Sequence, residues 1–236
     1  MRFSVIIPAH DEEKYLPACL ASIEAAAKPY PGEVEVVVAL NRCTDGTEAV
    51  ARAAGAKIVE EDARNMAKIR NAGAKAATGE ILLTIDADSA MSRNALQIIE
   101  EKLSSGKYIG GGVAILPERW SLGIIASALL LIPLLLRYRI SGGLFWLRRE
   151  DFEAMGGFDE RFVSVEDVDF ARRLKAHGRT KGKHFGHIVK AHIITSCRKW
   201  DQFGDWYMVT HPRFVWRILA GHDQEAADKL YYDADR

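Results

Sequence analysis

The sequence has no excess of either charge, because 32 lysine and arginine residues balance 32 aspartate and glutamate residues. A protein that binds nucleic acid by neutralising phosphates is usually more basic, so we expect no nucleic-acid partner. Cysteine is scarce, and Cys19, Cys43 and Cys197 are too few and too widely spaced for a disulfide framework or a zinc site. The N-terminus has no long apolar segment typical of signal peptides. These absences predict a reducing, cytoplasmic location.

The sequence also lacks an apolar run long enough to span a bilayer. Its most apolar stretch, Leu122 to Leu136, has 15 residues and contains Pro133, whereas a spanning helix needs roughly 20. Three interpretations stay open. The stretch could be a helix buried in the core or beside a substrate, a segment lying in a membrane interface with Trp120 at its edge, or a true span.

No internal repeat or low-complexity linker divides the 236 residues, so we expect a single domain. Up to about residue 105, apolar runs alternate with segments whose apolar residues have helical spacing. The runs are FSVIIP, EVEVVVAL, AKIVEE and EILLTI. Strands alternating with helices of this length predict an α/β fold with a mostly parallel, doubly wound sheet. The alternation then breaks down, and we expect the tail from Trp200 to be irregular.

Three of the apolar runs end in acidic segments, PAHDEE, NRCTDGT and DADS. Ligands of an open parallel sheet bind outside the carboxyl ends of its strands, so these segments should meet at one crevice. An acidic crevice repels phosphate unless a divalent cation bridges carboxylate and phosphate oxygens. Asp86 and Asp88 would then tolerate each other because a metal lies between them and the phosphates of a ligand.

Each of these acids also has a simpler interpretation. Two acids after a strand, such as Asp86 and Asp88, are often a solvated turn. Asp45 could cap the following helix instead of binding a base or ribose edge. Asp11 and Glu12 could be favoured at a helix N-terminus by the helix dipole.

A second acidic cluster, VEDVDFARRL, contains Glu166, Asp167 and Asp169. Carboxylates are favourable at the start of a helix, which could account for one or two of them. Alternatively, a carboxylate opposite the metal could take a proton from an incoming hydroxyl if burial raises its pKa. Arg70, in the segment KIRNAG, would lie either on a solvated helix face or against a phosphate.

Six segments, taken together and in order, resemble the family 2 glycosyltransferases of the GT-A fold. They are VIIPAHDEE, NRCTDGT, RNAG, DAD, FWLRREDFEAMGGFDERF and EDVDFARRL. The resemblance covers about residues 3–175 and fades beyond them. It implies a Rossmann-like sheet flanked by helices, with a nucleotide-binding half (1–105) and an acceptor-binding half (106–236). It also implies a nucleotide-diphosphate sugar as donor and Mg²⁺ or Mn²⁺ as cofactor.

The resemblance assigns roles to individual residues. Asp86 and Asp88 match the metal-binding Asp-x-Asp motif, with Asp88 as the direct ligand, and Asp167 matches the catalytic base. The positions that match nucleotide-binding segments are Pro8, Ala9, Asp11, Glu12, Asp45, Arg70, Asn71 and Asp86. The positions that match the acceptor or sugar pocket are Gly142, Gly143, Glu166 and Arg173.

Late in the chain the resemblance is looser. Many members of the family place a metal-binding histidine there, and the candidates are His184, His187 and His192. We predict His192 as the ligand, with a structural role as the alternative. The segment TSCRKW resembles a late segment of some members, which makes Arg198 and Lys199 candidate phosphate contacts.

We therefore expect an inverting sugar transferase in which Asp167 deprotonates an acceptor hydroxyl. Two alternatives stay open: a catalytically silent sugar- or lipid-binding module, and a nucleotidyltransferase, although PAHDEE is the reverse of a basic, glycine-rich triphosphate loop. A dinucleotide oxidoreductase is excluded because no Gly-x-Gly-x-x-Gly follows the first strand. By resemblance the base would be uracil or guanine. The apolar stretch suggests a lipid-linked acceptor and a peripheral contact with the inner face of the membrane.

Overall fold

The apolar runs of the sequence form the strands of one sheet. The structure is a computed structural model that describes residues 1–138 and 143–232. The strands in this part of the chain are β1 (Phe3–Ala9), β2 (Val34–Leu40), β3 (Lys57–Glu60), β4 (Ile81–Thr84), β5 (Ser89–Met91), β6 (Tyr108–Pro117), β7 (Phe145–Arg148) and β8 (His184–Thr195).

Helices connect the strands and continue beyond the last of them. In chain order they are α1 (Leu16–Ala27), α2 (Thr47–Ala53), α3 (Met66–Ala76), α4 (Ala95–Ser104), α5 (Leu122–Tyr138), α6 (Arg149–Ala154), α7 (Glu166–Thr180), α8 (Arg198–Phe203), α9 (Tyr207–Thr210), α10 (Pro212–Ala220) and α11 (Gln224–Tyr231).

The sheet is mixed but mostly parallel, as predicted. Its strand order is β3-β2-β1-β4-β7-β6-β8-β5. β1 pairs in parallel with both β2 and β4, whereas β7 and β5 run antiparallel to their neighbours. Because strands from both halves of the chain belong to this sheet, the expected single α/β domain is confirmed.

Each face of the sheet is covered by helices, which is why all seven residues of β1 are buried. Side chains of a strand alternate between its two faces. Phe3, Val5 and Ile7 therefore pack in one core with α1 and α4, while Ile6 belongs to the other core with α3, α6 and α7. This doubly wound arrangement fixes the carboxyl ends of β1, β2 and β4 at one edge of the sheet.

The prediction of an irregular tail is wrong. From Arg198 onward the chain forms the short helices α8 to α11, which are separated by turns such as those at Gly204 and Gly221, where φ is 89° and 80°. Helices of four to nine residues are too short to show a clear period in sequence. Among the described residues, no helix is both long enough and apolar enough to cross a membrane.

Candidate active site

The carboxyl ends of β1 and β4 open into a cavity of about 400 Å³. The starts of α7 and α8 also line it, so it joins residues from both halves of the chain. The predicted site residues that line this cavity are Pro8, Ala9, Glu12, Arg70, Asp86, Asp88, Glu166 and Asp167. The fold therefore brings the segments after β1 and β4 together with the second acidic cluster in one cavity.

A buried arginine lies between the two acidic clusters of this cavity. Arg70 on α3 donates through Nη2 to Asp86 Oδ1 at 2.7 Å and through Nη1 to Glu166 Oε1. Although burial favours the neutral form, the Asp86 and Glu166 carboxylates raise the pKa of the Arg70 guanidinium above its ordinary value. Arg70 thus links the end of β4 to the start of α7 and does not lie on a solvated helix face. Its contact with a phosphate stays a prediction.

A second arginine stands beside Asp88. The Arg198 guanidinium donates to both carboxylate oxygens of Glu12, at 2.7 and 2.6 Å, and its Nη2 lies 3.1 Å from Asp88 Oδ2. Burial opposes its charge, but Glu12 and Asp88 raise the pKa of Arg198. Asp86 and Asp88 therefore each have an arginine, Arg70 and Arg198, as a positive neighbour.

Asp167 lines the cavity from the first turn of α7, where it is half-buried. Its Oδ1 accepts a hydrogen bond from the backbone NH of Val168 at 2.7 Å. Burial, followed by the charge of Glu166, raises the pKa of Asp167 to about 6. Just before the helix, Val165 has a left-handed backbone with φ of 52°, which β-branched residues rarely adopt. This strained turn brings an acid suited to accept a proton near neutral pH to the cavity.

A second cavity, of about 570 Å³, lies at the loops that follow β1 and β2. Asp11 lines this cavity and not the first one. Its Oδ1 accepts a hydrogen bond from the backbone NH of Thr44 at 2.6 Å, so the two loops are joined. The full lining is His10, Asp11, Arg42, Cys43, Thr44, Asp62, Arg64 and Tyr232.

Asp45 lines neither cavity. Its Oδ1 accepts from the backbone NH of Thr47, where α2 begins, and its Oδ2 accepts from the NH of Glu13, both at 3.0 Å. Burial opposes the charge, but the hydrogen bonds from Thr47 hold the pKa of Asp45 below its ordinary value. Asp45 therefore stabilises the start of α2, which was the simpler interpretation. A contact with a base or ribose stays a prediction.

Asn71 and Arg173 do not line the first cavity, the one at the carboxyl ends of β1 and β4. Asn71 exchanges hydrogen bonds with the backbone NH and carbonyl of Phe158, both at 2.9 Å. Arg173 pairs with Asp169 at 2.6 Å and donates to the carbonyl of Gly157 at 2.8 Å. Both side chains brace the loop before α7, so any effect they have on a substrate would be indirect.

Two further predicted positions, Gly143 and His192, also lie outside the lining of this cavity. Gly143 has φ of 94°, and a Cβ atom there would lie 2.4 Å from Cγ1 of Ile115. Glycine is therefore needed at this position to leave room for Ile115, which lines the cavity. Gly142 lies outside the described residues. The backbone of His192 pairs with the backbone and side chain of Ser92, and the His192 side chain is not part of the cavity lining.

The side chains beside Asp88 have the chemistry of ligands for a hard divalent cation, although their oxygens do not form a compact group in this structure. Asp86, Asp88 and Glu12 contribute carboxylate oxygens, and Ser196 places a hydroxyl 3.1 Å from Asp88 Oδ2; Mg²⁺ and Mn²⁺ prefer oxygen ligands of this kind. Arg198 would have to move aside for such an ion. Among the described residues, one compact group of potential ligands lies elsewhere, at the β1 and β2 loops: Asp11, Cys43 and Asp45.

The apolar wall of the cavity was missed from the sequence. It comes largely from the tail, whose helices α9, α10 and α11 fold back over the carboxyl edge of the sheet. A weak signal existed in the spacing of Val215, Ile218 and Leu219 on α10. The apolar and aromatic members of the lining outside β1, β4 and α3 are His10, Ala87, Ile115, Val165, Val168, Met208, Val215, Ile218, Leu219, Tyr231 and Tyr232.

Comparison with known sequences agrees with this geometry. A sequence model of glycosyl transferase family 2 matches residues 4–156. The chain belongs to this family. Among curated relatives, this family 2 member is 35% identical over 103 residues to the uncharacterized glycosyltransferase Rv0539 of Mycobacterium tuberculosis, a match that covers 44% of each chain. It is 33% identical over 104 residues to the poly(ribitol-phosphate) beta-N-acetylglucosaminyltransferase TarS of Staphylococcus aureus, covering 41% of this chain and 18% of TarS. The matched region thus spans less than half the length of these relatives.

Solved structures place the family 2 member in the GT-A fold. It superposes on residues 1–349 of S. aureus TarS with a TM-score of 0.67 and 19% identity, covering 98% of this chain and 69% of the other. TarS has also been crystallised with UDP-GlcNAc. Glucosyl-3-phosphoglycerate synthase of M. tuberculosis, crystallised with Mn²⁺, UDP and phosphoglyceric acid, gives a TM-score of 0.65 at 19% identity, covering 94% and 78% of the two chains.

Proposed function

We propose that this chain is an inverting, metal-dependent glycosyltransferase that moves a sugar from a uridine diphosphate sugar to an acceptor hydroxyl. The observation that carries the proposal is the single cavity lined by Asp86 and Asp88 and by Asp167. Such a cavity offers a site for a metal-bound diphosphate and a carboxylate that can accept a proton. The UDP-bound structures of the two GT-A neighbours support uridine as the nucleoside.

Asp86 and Asp88 would hold Mg²⁺ or Mn²⁺, which when bound neutralises charge on the departing diphosphate. Arg198 would leave Glu12 and Asp88 and turn its guanidinium toward a phosphate, a partner that suits its planar donors. Arg70 would keep Asp86 and the start of α7 in place. These residues bind and orient the donor.

Asp167 acts on the acceptor. Its carboxylate takes the hydroxyl proton while the acceptor oxygen forms a bond to the anomeric carbon and the bond from that carbon to the diphosphate breaks. Because the oxygen attacks from the face opposite the leaving group, one displacement inverts the anomeric configuration. The pKa of about 6 leaves Asp167 ionised and ready to accept a proton at pH 7 and above.

The donor site can be tested by thermal denaturation with UDP, UDP-GlcNAc and UDP-glucose, each with and without Mn²⁺. We expect UDP and Mn²⁺ together to raise the melting temperature by several degrees, because a ligand that binds only the folded state stabilises it. Asp88→Asn should lower the apparent affinity for UDP with Mn²⁺ by about 10-fold or more, because the ion would lose one of its ligands.

The matched control is Glu101→Gln, which removes an exposed carboxylate on α4 and should respond like the wild type. An unchanged response of the Asp88→Asn protein would contradict a metal at the β4 rim. Failure of UDP, with or without Mn²⁺, to stabilise the wild type would reject the proposed donor.

We also propose that the acceptor is borne by a lipid and that α5 contacts the membrane surface. Leu122, Ile125 and Leu129 lie on one face of α5, and the side chains of Leu122 and Leu129 are 76% and 59% exposed. Trp120 precedes the helix and is 62% exposed. Aliphatic side chains on one face of a helix, with tryptophan at the edge, are typical of segments that lie in a membrane interface.

Sedimentation with phosphatidylcholine–phosphatidylglycerol vesicles tests this contact. The double variant Leu122→Glu/Leu129→Glu should bind vesicles at least about 10-fold more weakly, because each buried leucine contributes about 1.5–3 kcal/mol. The control is Val189→Glu on β8, an aliphatic residue that is 81% exposed and should have little effect. Absence of wild-type binding, or equal loss in both variants, would contradict the proposal.

A further inference from the structure

Two aromatic rings form the boundary between the two cavities. His10, in the loop after β1, and Tyr232, just after α11, line both of them, and no other lining residue is shared in the part of the chain that the structure describes. Their ring centroids are 5.0 Å apart with an interplanar angle of 59°. A molecule that extended from one cavity into the other along this boundary would contact these two rings.

The ring of His10 is fixed to the sheet. Its Nδ1 lies 2.6 Å from the carbonyl oxygen of Asn41 at the end of β2. A carbonyl oxygen can only accept a hydrogen bond, so Nδ1 carries the proton and the ring orientation is set by that bond. The surface that His10 presents to the boundary therefore belongs to the rigid part of the site.

Tyr232, by contrast, follows the short helix α11 and contacts the side chain of Arg64. The guanidinium carbon of Arg64 lies 5.5 Å from the centre of the Tyr232 ring. Arg64 also pairs with Asp228 at 3.0 Å, and its carbonyl accepts a hydrogen bond from Gln224 at 3.1 Å. A movement of Tyr232 would thus be coupled to an adjustment of α11 on Arg64.

The boundary can accommodate a nucleobase after a shift and a rotation of one ring. A flat base between two rings needs centroids about 7 Å apart, twice the contact distance of ~3.5 Å between carbon atoms. The present separation is 5.0 Å and the rings are tilted by 59°, so an outward shift of about 2 Å together with a rotation of the Tyr232 ring toward parallel would admit a base. Stacking of a base on an aromatic side chain is favourable for any base because each has a π-face.

We propose that Tyr232 is a donor-binding residue: its ring moves off His10 and stacks on the base of the nucleotide, while the diphosphate reaches Asp86 and Asp88. This inference rests on the proposed function, since it takes a uridine diphosphate sugar as the donor. It gives the end of the described chain a role in binding the substrate, and it joins the second cavity to the first.

The test compares Tyr232→Phe with Tyr232→Leu, using UDP and inorganic pyrophosphate as probes, each with Mn²⁺. Tyr232→Phe keeps the ring and should bind UDP within about two-fold of the wild type. Tyr232→Leu keeps apolar volume but loses stacking, and its affinity for UDP should fall about 10-fold. Pyrophosphate has no base, so both variants should bind it like the wild type, which also shows that they are folded.

The outcomes separate this inference from the function on which it rests. If the wild type binds neither UDP nor pyrophosphate with Mn²⁺, the proposed donor site is wrong. If pyrophosphate binds normally but Tyr232→Leu binds UDP as tightly as the wild type, or more tightly, the role of Tyr232 is overturned and the donor site stands. An equal loss of both ligands would likewise reject stacking, because the effect would not depend on the base.

Discussion

Replacement of Asp167 by asparagine is expected to lower kcat by about 10²- to 10⁴-fold, the usual contribution of a positioned general base. Asparagine has nearly the same shape and can still accept the hydrogen bond from Val168, but it cannot take the proton of an acceptor hydroxyl. The affinity for UDP with Mn²⁺ should stay within about two-fold, because Asp86, Asp88 and Arg198 are untouched. Initial rates of sugar transfer, measured beside UDP titrations, check both expectations.

The pH dependence of activity and of stability, compared between the wild type and Asp167→Asn, provides a second measurement. The pKa of Asp167 is raised to about 6, so kcat/KM of the wild type should rise with pH through about 6 and then level off. The pKa of an aspartate in the unfolded chain is near 3.9. Because the pKa of Asp167 is higher in the folded protein, its contribution to the free energy of unfolding is fully present below pH 3.9 and is lost as pH rises through 6. Asp167→Asn should therefore be more stable than the wild type at pH 7.5, by up to about 2–3 kcal/mol, and not at pH 3.5.

Glu101→Gln, on the exposed face of α4, again serves as the control and should show no such pH-dependent gain. Substantial turnover in Asp167→Asn would contradict its role as the base. Loss of turnover without the gain in stability above pH 6 would mean that burial does not raise the pKa of Asp167.

Replacement of Arg70 by methionine is expected to destabilise the protein by about 3–5 kcal/mol, because it leaves a buried carboxylate without its partner. Glu166 is buried and relies on Arg70, so the double variant Arg70→Met/Glu166→Gln should recover part of the loss. The free energy of unfolding from urea titration is the measurement. Arg52→Met, which breaks an exposed pair with Glu48, should cost less than about 1 kcal/mol.

The same variants separate two roles of Arg70. If Arg70 served only to bind phosphate, Arg70→Met would weaken UDP binding and leave the free energy of unfolding near that of the wild type. A large loss of stability, with partial recovery in the double variant, would instead assign Arg70 to the ion pair between the two acidic clusters.

The first half of the fold was predictable because β1 and β4 are continuous apolar runs that are buried on both faces. The same regularity placed Asp86 and Asp88 at the carboxyl edge of the sheet. The direction in which the side chains of a helix point was harder to predict from the sequence. Arg70 and Asn71 are neighbours in sequence, but successive residues of a helix point about 100° apart, so Arg70 faces the cavity and Asn71 faces the loop at Phe158.

Contacts between distant segments could not be predicted from local patterns. Glu12 and Arg198 are 186 positions apart, and either could have been a solvated charge. The tail from Trp200 shows the same difficulty, since its short helices contact α5 and the loop before α7 as well as one another. The aromatic boundary formed by Tyr232 depended on that packing and was invisible in the sequence.

The ion pairs of Arg198 affect the order in which a cation and a nucleotide would bind. The Arg198 guanidinium already pairs with Glu12 and Asp88, so Mn²⁺ binding alone at these carboxylates would leave a largely buried guanidinium without an anionic partner. A diphosphate changes this, because it offers the displaced guanidinium an anionic partner and frees both carboxylates at once. We therefore expect cation and nucleotide to arrive as one complex, and the released UDP to take its ion away with it.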